Sequence, residues 1–226
     1  MDSSKKIVIE ITGPPSAGKT TVKENLCQRL HEQGIRVGRI TADGQLYQSH
    51  KKLLWEAARH KTDDEIKRLI NQQSSLTFLS ILVNLEIRIR NSMDEIILLE
   101  QGPVFMSIIE SFGSEVPQSV LDYVLRDVRM PDKVFYLDTP VKDCRERCTG
   151  HRTRDLPFME KVYAGFLCEY RHHKQDWVRI DGAQPKAMVA EDVWIHLWNF
   201  LEPKLNRDRD RQGGKKNRQG SGNAAG

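Results

Sequence analysis

The sequence predicts an α/β protein in which a five-stranded parallel sheet lies between two layers of helices. Short apolar runs recur along the chain, and helical stretches separate them. This alternation is typical of βαβ units, whose strands pair in parallel. A chain of 226 residues can bury one sizeable core and is near the upper end for one domain. We therefore expect a single three-layer α/β/α domain.

The five strands are assigned to short runs that are rich in apolar and β-branched residues. They cover residues 7–12 (IVIEIT), 36–41 (RVGRIT), 95–100 (EIILLE), 133–138 (KVFYLD) and 177–181 (WVRID). Helical signals, some with breaks, lie at about 19–33, 45–91, 104–128, 141–173 and 186–202. In the second of these, an apolar stripe predicts the face that packs on the core, formed by Leu76, Leu79, Leu82, Val83 and Ile87.

The segment between the first strand and the first helix has the pattern G-x-x-x-x-G-K-[ST], from Gly13 to Thr20. A strand before it and a helix after it are the context that a phosphate-binding loop (P-loop) requires. Its glycines let backbone N–H groups point inward, and the helix N-terminus adds partial positive charge. We expect the loop to hold the triphosphate of ATP, through Gly13, Pro14, Pro15, Ser16, Ala17, Gly18, Lys19, Thr20 and Thr21.

Two side chains of the loop have specific expected roles. Lys19 should reach the β- and γ-phosphates. The Thr20 hydroxyl should take one position on a Mg²⁺ ion that bridges these phosphates. ATP and Mg²⁺ are therefore the expected cofactors.

Polar residues lie at or just after the end of each predicted strand. In parallel sheets, ligands bind beyond the C-terminal strand ends, so these residues are expected to cluster. They are Thr12, Asp43, Glu100, Asp138 and Asp181. Glu100 is the candidate for holding the water shell of Mg²⁺ or orienting an attacking group.

Composition favours a soluble cytoplasmic enzyme, with 38% apolar and 29% charged residues. The sequence has no apolar run near bilayer-spanning length, and "MDSSKK" leads into a strand without a signal-peptide apolar region. No membrane partner is expected. The four cysteines, at positions 27, 144, 148 and 168, contain no C-x-x-C pair and are interpreted as reduced thiols.

The net charge of +4 is unevenly distributed. Residues 203–226 have a net charge of +5, whereas residues 1–202 have a net charge of −1. We expect a folded P-loop domain at 1–202 and a disordered basic tail at 203–226, since the tail has almost no apolar residue. A nearly neutral body argues against specific nucleic-acid binding.

The order of these motifs resembles the P-loop kinases related to thymidylate kinase and other nucleoside monophosphate (NMP) kinases. The resemblance covers roughly residues 7–201 and rests on the P-loop and on the segments IILLEQGP, VFYLDTPVKDCRERCTGHRTRD, FMEKVYAGFLCEY and WVRIDGAQ. It implies an NMP-kinase-like P-loop NTPase fold. It also implies a mobile lid near 145–157, in which Arg152 and Arg154 grip the transferring phosphate, and an adenine-side position for Arg147.

One position departs from this family. Thymidylate kinases have an Asp-Arg pair at the end of the third strand, whereas this chain has Glu100 and Gln101. The arginine that lies near the acceptor phosphate is therefore replaced by a neutral side chain. Gln101 suits a hydroxyl-rich ligand equally well.

Asp43, in RITADG, keeps a second acceptor open. Adenylylsulfate kinase and chloramphenicol phosphotransferase, relatives in the same class, place an Asp after the second strand, where it meets an acceptor hydroxyl. A carboxylate there can accept the hydroxyl proton during phosphoryl transfer. The Asp-Gly dipeptide is also typical of a simple turn.

The sequence therefore predicts an ATP- and Mg²⁺-dependent kinase with a small-molecule phosphoryl acceptor. A nucleoside monophosphate is the first candidate acceptor, and a hydroxyl of a small metabolite or antibiotic is the alternative. A regulatory ATPase that transfers to no acceptor is the third hypothesis. No Asn is followed by Lys, so the N-K-x-D base-recognition segment of GTPases is absent. A homodimer is compatible with these expectations.

Overall fold

The computed structural model describes residues 6–41, 62–113, 125–126, 128–148 and 156–219. Five strands in these segments form one parallel sheet in the order β2-β3-β1-β4-β5. Their bounds are β1 Ile7–Thr12, β2 Val37–Thr41, β3 Ile96–Glu100, β4 Lys133–Asp138 and β5 Trp177–Asp181. The predicted α/β fold with a five-stranded parallel sheet is confirmed, and each strand lies within one residue of its predicted bounds.

The described residues also form helices that follow the strands. Their bounds are α1 Lys19–Glu32, α2 Asp63–Asn91, α3 Pro103–Gly113, α4 Val141–Glu146, α5 Leu156–His172 and α6 Lys186–Gln219. A capping box starts α2, because the Thr62 hydroxyl accepts from the Glu65 N–H and the Glu65 carboxylate accepts from the Thr62 N–H. No helix among the described residues is long and apolar enough to cross a membrane.

The helices cover both faces of the sheet, which gives three layers. On one face, α1 and α6 pack on β1 through buried side chains such as Leu26, Leu197 and Ile11. On the other face, α2, α3 and α5 pack on β4 through Phe78, Ile108 and Phe166, among others. Because side chains alternate along a strand, Ile9 and Ile11 face the first layer while Val8 and Glu10 face the second.

The apolar stripe predicted for α2 needs a correction. Leu82 is fully buried, but Leu79, Val83 and Ile87 are exposed, and the Leu76 side chain lies outside the described part. The segment is apolar on more than one side, and periodicity alone selected the wrong face. The buried face consists of Phe78, Ile81, Leu82, Leu85 and Ile89.

The helix end predicted at about residue 202 is also corrected. The last helix does not end there but continues through Pro203 to Gln219. Leu201 is fully buried and Leu205 packs against the same core cluster, so the apolar anchor extends beyond the predicted end. Residues 220–226 lie outside the described chain.

Candidate functional site

The loop between β1 and α1 turns tightly at three positions with positive φ, namely Gly13 at 144°, Ser16 at 65° and Gly18 at 97°. A Cβ atom at Gly13 would lie 2.6 Å from the carbonyl oxygen of Leu137, so only glycine fits there. Ser16 is a non-glycine residue in the left-handed region, where strain is typical of ligand-binding loops. The loop geometry is that of the predicted phosphate-binding segment.

Lys19 starts α1, and its side chain folds back across the loop. Its Nζ atom donates to the carbonyl oxygens of Gly13 at 2.9 Å and Pro14 at 2.8 Å. The same atom lies 4.9 Å from the centroid of the Phe105 ring. The charge therefore lies at the inner wall of the loop, where a phosphate chain would meet it.

Thr20 and Glu100 meet beside this lysine. The Thr20 hydroxyl donates to Glu100 Oε1 at 2.5 Å, which joins the start of α1 to the end of β3. Lys23 Nζ lies 2.6 Å from the other oxygen, Glu100 Oε2, and donates to the Thr41 hydroxyl at 3.0 Å. A hydroxyl and a carboxylate are oxygen ligands of the kind that Mg²⁺ prefers, so the predicted pair fits this ion.

These groups open onto a cleft of about 1040 Å³. Five basic and three acidic side chains line it, so its charge suits an anionic ligand. The basic residues are Lys19, Lys142, Arg145, Arg147 and Lys186, and the acidic residues are Glu100, Glu146 and Glu160. Gln101, with φ at 59°, and Phe105 form part of the wall that follows β3.

Arg147 lies in this wall, at the end of α4. Its guanidinium donates to the Gly182 carbonyl oxygen at 2.9 Å, so it contacts the turn between β5 and α6. The predicted lid is described on both sides of its centre, and Cys148 and Leu156 both line the cleft. Asp43, Arg152 and Arg154 lie outside the described residues.

Three of the predicted strand-end residues do not line the cleft, namely Thr12, which is fully buried, and Asp138 and Asp181. Asp138 accepts from Arg179 Nε at 2.7 Å and from the Tyr136 hydroxyl at 3.0 Å. Asp181 accepts from the Ala183 N–H at 2.9 Å within a local turn. Asp138 and Asp181 are neighbours in the register of β4 and β5, but their side chains bond elsewhere and not to groups of the cleft.

Burial raises the pKa of the Tyr136 hydroxyl well above its usual range, and the Asp138 carboxylate beside it acts in the same direction. The phenol therefore stays a hydrogen-bond donor. Tyr136 also stacks on Phe166 of α5 with ring centroids 5.7 Å apart. Tyr136 therefore packs α5 on the sheet, and its partner Asp138 bonds within the sheet and does not line the cleft.

Glu10 is a fully buried carboxylate that the sequence analysis did not single out. It accepts from the N–H groups of Val104 at 3.1 Å and Phe105 at 2.7 Å, which are the first free donors of α3 after Pro103. It therefore fixes the start of the helix that presents Phe105 to the cleft. In the sequence, Glu10 could have been recognised as a charged residue within an otherwise apolar strand.

The unfolding free energy should depend on pH through Glu10. Burial raises its pKa from 4.5 to about 7, although the N–H bonds from Phe105 and Val104 oppose this shift. Between these values the folded protein holds a proton that the unfolded chain releases. Stability should therefore fall as pH rises through this window, by up to about 1.4 kcal/mol per pH unit, and level off above it.

Urea unfolding of wild type and Glu10→Gln at several pH values checks this dependence. The variant has no titrating group at this position, so its unfolding free energy should change less steeply between pH 5 and 7. Equal slopes for the two proteins would show that Glu10 does not titrate in this range.

Lys23 is a second residue that the sequence analysis missed. It lies one helical turn after Lys19, on the same side of α1, and that spacing was a usable signal. Its partner is 77 residues away in the sequence, so the ion pair itself becomes visible only in the fold.

Comparison with known proteins agrees with this geometry. A family model described as an AAA domain matches residues 8–186. The thymidylate kinase of Psychrobacter sp. (strain PRwf-1) is 24% identical over 197 residues, which cover 82% of this chain and 94% of that protein. The thymidylate kinase of Pseudomonas fluorescens is 25% identical over 210 residues, which cover 87% of this chain and 97% of that protein.

The family match extends over all five strands and over the P-loop between β1 and α1. It covers well over half of the chain. The fold and the loop geometry agree with it independently. The chain therefore belongs to the AAA-domain family of P-loop proteins.

Proposed function

We propose that this protein is an ATP- and Mg²⁺-dependent small-molecule kinase, and that its acceptor is a nucleoside monophosphate. The observation that carries the proposal is the contact between Thr20 and Glu100, 2.5 Å apart, at the mouth of the loop that holds Lys19. The contact supports the proposal because a hydroxyl and a carboxylate, the oxygen groups that suit Mg²⁺, lie beside a lysine at one end of a basic cleft.

The loop from Gly13 to Thr21 would bind the phosphate chain of ATP, and Lys19 would balance its charge. Thr20 and Glu100 would hold Mg²⁺, which when bound neutralises charge on the β- and γ-phosphates and orients them. Lys19 would exchange its carbonyl partners, Gly13 and Pro14, for phosphate oxygens.

The adenine side of ATP would lie near Arg147, whose position against Gly182 suits a planar cation beside a base. Arg152 and Arg154 would bind the transferring phosphoryl group from the lid. Guanidinium groups favour this role because they stay charged and make bidentate contacts with phosphate oxygens.

A nucleoside monophosphate is favoured because the two thymidylate kinases match nearly their whole length. Transfer would break the bond between the γ-phosphorus and the bridging oxygen of ADP and form one to an acceptor phosphate oxygen. Such an acceptor is already ionised at neutral pH, so it needs no base.

A hydroxyl acceptor is the second candidate, and Gln101 is the observation that favours it. This neutral side chain lies in the cleft wall next to Glu100, where a cation would serve an acceptor phosphate better. A hydroxyl also has to lose its proton, and Asp43 is the proposed acceptor of that proton. An ATPase that transfers only to water is the third candidate, since the AAA-domain match is compatible with one.

Two substitutions distinguish a phosphate acceptor from a hydroxyl acceptor. If the acceptor is a hydroxyl, Asp43→Asn should reduce kcat by roughly 10²-fold or more while ATP affinity stays similar. If it is a phosphate, the same change should act mainly on acceptor binding. Gln101→Arg should then lower KM for a nucleoside monophosphate, because a guanidinium adds a bidentate contact to its phosphate.

Acceptor-stimulated ATP consumption, measured with nucleoside monophosphates and with hydroxylated metabolites, gives these constants. A loss of turnover in Asp43→Asn, with no gain in Gln101→Arg for any nucleotide, would replace the first candidate by the second. Wild-type behaviour of both variants would mean that neither residue faces the acceptor.

A further inference from the structure

Lys23 is a buried cation directly behind the proposed metal-binding carboxylate. Its side chain and that of Glu100 are each only 11% exposed, and the charged atoms are 2.6 Å apart. A second contact, 3.0 Å to the Thr41 hydroxyl, holds the ammonium between the ends of β2 and β3. Lys23 does not line the cleft, so Glu100 separates it from any ligand there.

Glu100 presents an electrostatic difficulty for the site. A buried carboxylate at the mouth of a phosphate loop repels a polyphosphate, and low local polarity strengthens that repulsion. Left unpaired beside the Thr20 oxygen, the same carboxylate is also a good ligand for a divalent cation on its own. Lys23 reduces both the repulsion of a polyphosphate and the affinity of Glu100 for a cation. With Lys23 present, the net charge of the three groups Lys19, Lys23 and Glu100 is +1, whereas without it the net charge of the remaining pair is zero.

We propose that Lys23 is a positioning residue that neutralises Glu100. This ion pair lowers the repulsion between the carboxylate and a bound polyphosphate. It also prevents the carboxylate from binding a divalent cation before the nucleotide is present. Metal binding then depends on the phosphates, so nucleotide and metal enter together. The inference rests on the proposed ATP site but not on the identity of the acceptor.

The proposal is tested by measuring ATP binding and Mn²⁺ binding under conditions without turnover. Lys23→Met should bind ATP in EDTA roughly tenfold more weakly than wild type by titration calorimetry, since one positive charge is lost near the phosphates. The same variant should bind Mn²⁺ without nucleotide roughly fivefold or more tightly, as measured by electron paramagnetic resonance, because Glu100 is no longer paired.

A double substitution shows whether the effect passes through Glu100. Lys23→Met combined with Glu100→Gln restores the net charge of +1, so its metal-free ATP affinity should return to within about twofold of wild type. Glu100→Gln alone should bind metal-free ATP more tightly than wild type. This single variant tests the charge argument even if Lys23→Met does not fold.

Arg29→Met is the matched control. Arg29 lies on the same helix and also pairs with a carboxylate at 2.6 Å, that of Glu191, but it lies outside the cleft. It should leave metal-free ATP binding and Mn²⁺ binding unchanged. Equal effects of Arg29→Met and Lys23→Met would reduce the role of Lys23 to general stability and overturn the proposal.

The remaining outcomes are also decisive. Unchanged ATP and Mn²⁺ binding in Lys23→Met overturns the inference, and so does weak ATP binding that the double variant fails to restore, since Lys23 then acts without Glu100. Failure of the wild-type protein to bind ATP would overturn the proposed function together with this inference. If the wild-type protein binds ATP normally, a negative result with the Lys23 variants overturns this inference alone and leaves the proposed function in place.

Discussion

Lys19→Ala is expected to abolish phosphoryl transfer, with kcat/KM lower by roughly 10³-fold or more. The side chain places a charge against the loop carbonyls of Gly13 and Pro14, at the position where phosphates would enter. ATP affinity should fall as well. Initial rates and ATP titration calorimetry on the same preparation measure both effects.

The unfolding midpoint should change little in Lys19→Ala, because the two hydrogen bonds that are lost go to carbonyl oxygens of the loop and not to the sheet. Lys174→Ala, at an exposed position after α5, is the control for loss of a lysine and should keep full activity. Wild-type turnover in Lys19→Ala would remove the basis for assigning ATP to this loop.

Gly13→Ala is expected to have the largest effect on the loop itself. Gly13 has a φ of 144°, and an added Cβ would lie 2.6 Å from a backbone oxygen of β4, which cannot move without displacing the central sheet. We expect a loss of roughly 3 kcal/mol or more in unfolding free energy, together with loss of ATP binding. Urea unfolding and ATP titration measure the two quantities.

Gly34→Ala separates backbone strain from the clash. Gly34 also has a positive φ, 72°, but no heavy atom lies within 4 Å of the position of its Cβ, and it follows α1 at the end remote from the loop. It should cost about 1 kcal/mol and leave ATP binding intact. Similar losses at both glycines would contradict the close approach of Gly13 to β4.

The strands and the P-loop were predictable because their signals are local. Each strand is a short run of apolar and β-branched residues, and the loop pattern lies within eight consecutive positions. The helix ends were less predictable. In α6, a single apolar residue, Leu205, extends the packed segment into the stretch that composition alone marks as solvated.

The polar contacts of the site depend on distant pairing. Glu10 caps a helix 94 residues further along the chain, and Lys23 finds its carboxylate 77 residues away. No periodicity in one sequence reports such partners, because sheet order and register decide which side chains meet. The same limit explains Asp138, which ends its strand as predicted but bonds to Tyr136 and Arg179 and does not line the cleft.

The most direct test of the central claim follows the γ-phosphoryl group of ATP. Wild-type protein is incubated with Mg²⁺, with ATP labelled by ¹⁸O in its γ-phosphate, and with one acceptor at a time. The masses of all products are then measured by mass spectrometry. We predict ADP and a labelled phosphorylated acceptor in equal amounts, with a nucleoside diphosphate formed from a nucleoside monophosphate. Label found only in inorganic phosphate, at a rate that no acceptor changes, would contradict the kinase assignment.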